Sequence, residues 1–171
     1  PGTYWHSNYG QGSGNKKAPY KVTIDRGASK GEFQTVAYLP RPQANANGSW
    51  QEFEVYASET EAGLFEPESK LQNAEGSSVF RAGYDKVWES GQAKWMYFGL
   101  KEKCSKQFVG IKVTKGQGGF ASAAELDLMS EQFTSVPGVD AKRPVLKASD
   151  LKLKGEPVVE DAVPLNDKAK S

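Results

Sequence analysis

Apolar and polar residues alternate along much of the chain. Tyr20, Val22 and Ile24 interleave with Lys21, Thr23 and Asp25, and the run stops at Arg26-Gly27. A period of two puts the first three side chains on one face, as in a half-buried antiparallel strand. Residues 33–39 and 53–58 read the same way. At 94–100, Trp95, Tyr97 and Gly99 oppose Met96, Phe98 and Leu100. A further strand is expected over 109–113, and Ala124, Leu126 and Leu128 line one face of a last one. No stretch between 1 and 130 sustains a helical period. The pattern predicts an all-β chain, folded as a sandwich or jelly roll of five or more antiparallel strands. Val22, Ile24, Val55, Ile111, Leu126 and Leu128 are its expected core.

The breaks between strands carry their own information. Pro40-Arg41-Pro42-Gln43-Ala44-Asn45-Ala46-Asn47-Gly48 holds two prolines and an Asn-Gly pair, which force a surface loop. Gly116-Gln117-Gly118-Gly119 makes a flexible turn. Residues 59–78 alternate poorly and read as a long connection with one helical turn, carrying function or tolerating insertion. After Met129 the character changes. Residues 136–171 contain no aromatic residue, and prolines at 137, 144, 157 and 164 interrupt Lys/Asp/Glu-rich text. The expected division is therefore a folded domain over 1–130 and a linker or C-terminal extension over 131–171.

Composition narrows the function classes. A chain of 171 residues with 37% hydrophobic content buries one core but hardly two. Lys and Arg number 22 against 21 Asp and Glu, a balance that offers no basic surface for a phosphate backbone, so nucleic acid is not an expected partner. No run approaches about 18 consecutive apolar residues, and no membrane insertion is expected. The opening Pro1-Gly2-Thr3-Tyr4 is unlike a signal peptide. Cys104 is the only cysteine, which excludes an internal disulfide and reads as a buried, inert thiol.

Catalysis finds little to work with. His6 is the single histidine, and a Cys-His pair would have to join it to Cys104 from the other end of the sequence. Glu52 and Glu54, like Glu125 and Asp127, share a strand face at spacing two, but alternation alone produces such pairs on a solvated face. The glycine-rich turn at 116–119 lacks the Lys-Ser/Thr of a phosphate loop. What remains is a set of planar polar groups and aromatics on loops. A flat ring packs against the apolar C–H face of a pyranose, while Arg, Asn and His meet hydroxyls in fixed directions. Trp5-His6-Ser7-Asn8-Tyr9 precedes a Gly/Ser/Asn loop, Arg41 and Asn47 sit on the proline-rich loop, and Phe120 follows the glycines. Trp5 reads as a core or corner residue. Arg41 and Asn47 could equally cap their own loop. Phe120, directly after the glycines, is expected to be exposed.

Three of these segments together resemble a known family. Tyr4-Trp5-His6-Ser7-Asn8-Tyr9 with Pro19-Tyr20-Lys21-Val22-Thr23-Ile24-Asp25 is similar to the opening of F5/8 type C, or discoidin, domains. The bacterial members of that family are the family 32 carbohydrate-binding modules. Tyr38-Leu39-Pro40-Arg41 with Asn47-Gly48 and Phe53-Glu54-Val55-Tyr56-Ala57-Ser58 resembles the family's Pro-Arg loop and the strand after it. Gly118-Gly119-Phe120-Ala121-Ser122-Ala123-Ala124-Glu125-Leu126 resembles its closing motif. The matches fall in the right order across residues 1 to 129.

The resemblance implies a jelly-roll, galactose-binding domain-like sandwich with its ligand site in the loops at one end. It implies a non-catalytic module for a terminal galactose-type or related sugar, held by His6, Arg41 and Asn47, with Phe120 and Tyr9 as stacking aromatics. Arg41 and Phe120 are expected outside the core. It also implies a structural calcium ion to which Thr3 and Glu125 contribute oxygen atoms, a choice that suits a hard cation. Members generally begin with another strand and an Ala-x-Asp-Gly-like loop that supplies aspartate ligands, upstream of the matched opening. A parent glycan-acting enzyme such as a glycoside hydrolase follows from the same resemblance. So does a location outside a bacterial cell, on its surface or in its periplasm. The alternative is a discoidin-type adhesion module that binds protein or phospholipid.

Overall fold

The computed structural model describes residues 5–7, 18–28, 30–41, 48–82 and 94–133. Nine strands and two short 3-10 turns make up the regular structure among them, with no α-helix. The strands are β1 (Trp5–His6), β2 (Tyr20–Asp25), β3 (Phe33–Leu39), β4 (Trp50–Ser58), β5 (Phe80–Arg81), β6 (Met96–Cys104), β7 (Phe108–Gly116), β8 (Ser122–Ala123) and β9 (Glu125–Met129). They form a four-stranded sheet in the order β2-β7-β4-β5, a three-stranded sheet β6-β3-β9 and the small pair β1-β8. Every pairing is antiparallel.

Alternation decides what each sheet turns inward. Val22, Val55, Ala57, Val109, Ile111 and Val113 from the larger sheet meet Val36, Tyr38 and Leu100 from the smaller in one core. Ile24, Met96, Phe98, Leu126 and Leu128 pack at its margins. All six expected core residues therefore contribute, with Ile24, Leu126 and Leu128 only partly buried. Aromatic rings lock the two layers: Phe53 of the larger sheet meets Phe98 of the smaller edge-on at 4.8 Å and stacks on Phe80 at 5.2 Å. Trp95 and Tyr97 point the other way, as their spacing predicts. They form a second cluster with Ala37, Met129 and Phe133 on the outer face of the smaller sheet. Thr35 ties the chain after β9 over this cluster, donating to the Glu131 carbonyl at 2.6 Å and accepting from the Phe133 N–H at 2.7 Å. The folded part thus reaches at least Phe133, slightly past the expected boundary at 130; residues 134–171 lie outside the described residues.

The connection 59–78 covers an edge and an outer face. Residues 70–74 run between the two sheets: Leu71 N–H donates to Val55 of β4 at 2.8 Å, while Ala74 N–H reaches Gly99 and Lys101 N–H reaches Gln72, both at 3.0 Å, on β6. The helical turn expected here is a 3-10 turn at Pro67–Ser69. Before it, Leu64 is fully buried and Phe65 leans on Tyr56 at 5.3 Å.

Beneath this cover Glu54 receives Lys70 at 2.6 Å, the Tyr56 hydroxyl at 2.6 Å and Lys112 at 3.1 Å. Burial pushes the Glu54 carboxyl pKa up, but the donors from Lys70, Tyr56 and Lys112 together outweigh it and hold it down to about 2. Glu54 is thus the acceptor in a network with Lys70, Lys112 and Tyr56, while Glu52 faces Arg81 at 3.5 Å. Because its folded pKa lies below the unfolded value, the network stabilises the fold above pH 4.5 and is lost as pH falls from there toward about 2. Glu54→Gln should cost about 1–2 kcal/mol at pH 7 after allowance for solvent screening. Its deficit against the parent should shrink as pH drops through that window. Urea unfolding at pH 7, 4 and 2.5 measures it, and a deficit independent of pH would refute the assignment.

Candidate sugar-binding end of the sandwich

Strand register defines one end. Tyr20 starts β2 opposite Val113, and Trp50 starts β4 opposite Gly116. In the other sheet Leu39 ends β3 opposite Glu125, and Tyr38 pairs with Met96. The segments bordering residues 8–17, 42–47 and 117–121 therefore all open at this end, whereas residues 59–78 begin at the opposite one.

Residues 117–124 act as a bracket that ties the segments of this end together. On one side β1 lies along it: Trp5 pairs with Ala123 and His6 with Ser122. Ser7 extends the contact, its N–H donating to the Ala121 carbonyl at 2.7 Å and its hydroxyl accepting from the Ala121 N–H at 3.0 Å. On the other side Gly48 N–H donates to Gln117 at 2.9 Å, and Ser122 N–H returns to the Gly48 carbonyl at 2.7 Å. Gln117 N–H donates to Ser49 at 2.9 Å and Ala124 N–H to Leu39 at 2.8 Å. From below, the Tyr38 hydroxyl accepts from the Trp50 N–H at 3.2 Å and donates to the Ser122 carbonyl at 3.0 Å. Burial pushes its pKa up, so it remains a donor.

The bracket brings together the backbones of segments far apart in sequence. His6 lies opposite Ser122, and its side chain is outside what the structure describes. Arg41 follows β3 by two residues, close to where Leu39 bonds Ala124. It differs from the expected surface-loop residue in being 7% exposed, because the chain is still buried at Pro40 and Arg41 as it leaves β3. Phe120 is half-buried, neither fully exposed as its glycine-rich setting predicts nor placed between the sheets. Gly48 is fixed beside the bracket, but its neighbour Asn47 lies outside the described residues, as do Tyr9 and Thr3. Trp5 packs against the main core, as a corner residue would.

Glu125 is exposed at the first position of β9. Among the described residues no three His, Cys, Asp or Glu side chains gather to hold a metal ion. Calcium takes about six to eight oxygen ligands, so a single carboxylate does not build its site, and calcium stays an expectation of the resemblance. Cys104 is buried, which pushes its thiol pKa up, in keeping with the inert role expected for it.

The supporting residues Ser7, Tyr20, Tyr38, Gly48, Trp50 and Ser122 escape a reading of the site from sequence. Their role lies in long-range hydrogen bonds that no local spacing encodes. Only Gly48, marked by the Asn-Gly turn, carries a local signal.

No protein-family model and no curated protein matches this chain. Solved structures do resemble it. A family 32 carbohydrate-binding module from Clostridium perfringens, in complex with GalNAc-β-1,3-galactose, has a TM-score of 0.55 and 23% identity over 75% of this chain and 76% of that one. The family 32 module of Clostridium perfringens NanJ, in complex with galactose, gives 0.48 and 20% over 74% and 76%. The C-terminal domain of a Bacteroides fragilis chitobiase gives 0.48 and 15% over 77% and 74%. The first likeness establishes the fold: an all-β jelly-roll sandwich.

Proposed function

We propose that this sandwich is a non-catalytic carbohydrate-binding module that takes a terminal galactose-type sugar at the end organised by residues 117–124. The observation that supports the reading is that single bracket, which bonds β1, Leu39 and Gly48 together at one end of a fold shared with a module in complex with GalNAc-β-1,3-galactose. Arg41 supplies charge-assisted donors to neighbouring ring hydroxyls, and His6 and Asn47 complete the polar contacts. The half-buried Phe120, with Tyr9, offers an apolar face to the sugar's C–H groups. Such a site is shallow and wet, so binding is weak per site, in the micromolar to millimolar range rather than nanomolar. A glycan-acting parent enzyme and an extracellular bacterial setting accompany this reading.

A glycan array with the full chain, followed by calorimetry with galactose and N-acetylgalactosamine, tests the proposal. Arg41→Ala should weaken binding by about 1.5–3 kcal/mol, the loss of charge-assisted hydrogen bonds. Phe120→Ala should weaken it by about 0.5–1.5 kcal/mol beyond area effects. Since Arg41 is buried, thermal melts accompany both titrations, and Arg41→Lys separates lost geometry from lost charge. A folded Arg41→Ala protein with full sugar affinity would remove Arg41 from the site. Binding to phosphatidylserine vesicles or protein in place of any glycan would overturn the sugar reading.

A further inference from the structure

We propose that Tyr20 is a positioning residue for the aromatic side of this site, holding the glycine tip at 118–119, and through it Phe120, in the arrangement that binds. The inference rests on the reading of this end as a sugar site. The Tyr20 ring is anchored in the main core, 9% exposed, at the first position of β2. Its hydroxyl leaves the core to donate to the Gly119 carbonyl at 2.9 Å, across 99 residues of sequence.

Gly118 and Gly119 are exposed, with positive φ of 69° and 79°. The bond inside the turn, Phe120 N–H to the Gln117 carbonyl, is long at 3.5 Å. On either side the chain is held at Gln117, which bonds Ser49, and at Ala121, which bonds Ser7. Glycine reaches many backbone conformations at little steric expense, so an unanchored tip populates alternatives. A hydroxyl on an immobile ring selects one of them. A ligand that needs that one binds with an affinity reduced by the fraction of molecules lacking it.

Tyr20→Phe deletes the hydroxyl and keeps the ring, so the core and the melting temperature should change little. In the full chain, backbone order parameters at Gly118, Gly119 and Phe120 should fall. The dissociation constant for the sugar identified on the array should rise about three- to tenfold, the equivalent of one hydrogen bond. In a Phe120→Ala background the same change should have little further effect, because the tip then has no ring to place. Unchanged order parameters at 118–120 would overturn the inference whether or not any sugar binds. An affinity loss that persists in full without the Phe120 ring would overturn it as well. Lowered order parameters in a chain that binds no glycan would uphold the anchoring of the tip while refuting the sugar reading.

Discussion

Trp50→Ala is expected to lower the free energy of unfolding by about 3–5 kcal/mol, the range for deleting a buried large aromatic. Trp50 is 1% exposed, and its ring lies flat on Tyr38 with centroids 4.1 Å apart and planes 5° from parallel. It also tilts against Phe53 at 5.3 Å. Truncation would open a cavity bounded by Tyr38 and Phe53 directly under the bracket, where Tyr38 holds Ser122. Urea unfolding followed by circular dichroism measures the loss. Binding should weaken too, since the floor of the site loses its backing. A loss under about 1 kcal/mol, the range of mild surface substitutions, would deny Trp50 its place at the centre of the packing.

The second large effect is expected from Gly48→Ala, at about 2–4 kcal/mol. Gly48 has a φ of +83°, and a methyl added there would meet the Ser122 Oγ at 2.5 Å, its Cβ at 2.9 Å and its N at 3.0 Å. The left-handed conformation disfavours alanine by about 1–2 kcal/mol before any clash is counted. The backbone has little freedom to relieve it, because the Gly48 N–H and C=O are both engaged, with Gln117 and Ser122. The proline-rich loop and the bracket would have to separate, so sugar affinity should fall along with the melting temperature. Wild-type stability and affinity in this variant would refute the close approach of the two segments.

Much of the frame is legible from alternation. β2, β3 and β7 contain the runs marked by period two, and Trp95 and Tyr97 face away from Met96 and Phe98 as their parity requires. Trp50 is a different matter. It and Phe53 are three residues apart yet both point inward, because the β4–β7 register shifts on either side of Glu52. A strict period of two hides such a residue. β6 runs on to Cys104 through Lys101-Glu102-Lys103, a charged stretch that pattern alone ends at Leu100. β1 and β5 are two residues long, too short for any pattern to mark. At the site, the loops carrying Arg41 and Phe120 are legible from their prolines and glycines. The burial of Arg41 is not, since the prolines beside it mark a surface loop.

The run 70–74 between β4 and β6 bears on how the molecule behaves at high concentration. A sheet edge with free N–H and C=O groups is a template for pairing with another chain, the first step toward aggregates. Here one irregular segment occupies the β4 edge beyond β5 and the adjoining edge of β6, and its kinked course offers no straight strand in exchange. Among the described residues the other edges are β5, only two residues long, and β2 and β9, which carry Lys21 and Asp25, and Glu125 and Asp127, charges that a second strand would have to desolvate in order to add on. A sandwich with its long edges covered or charged in this way can be crowded, many copies side by side, without its sheets joining end to end.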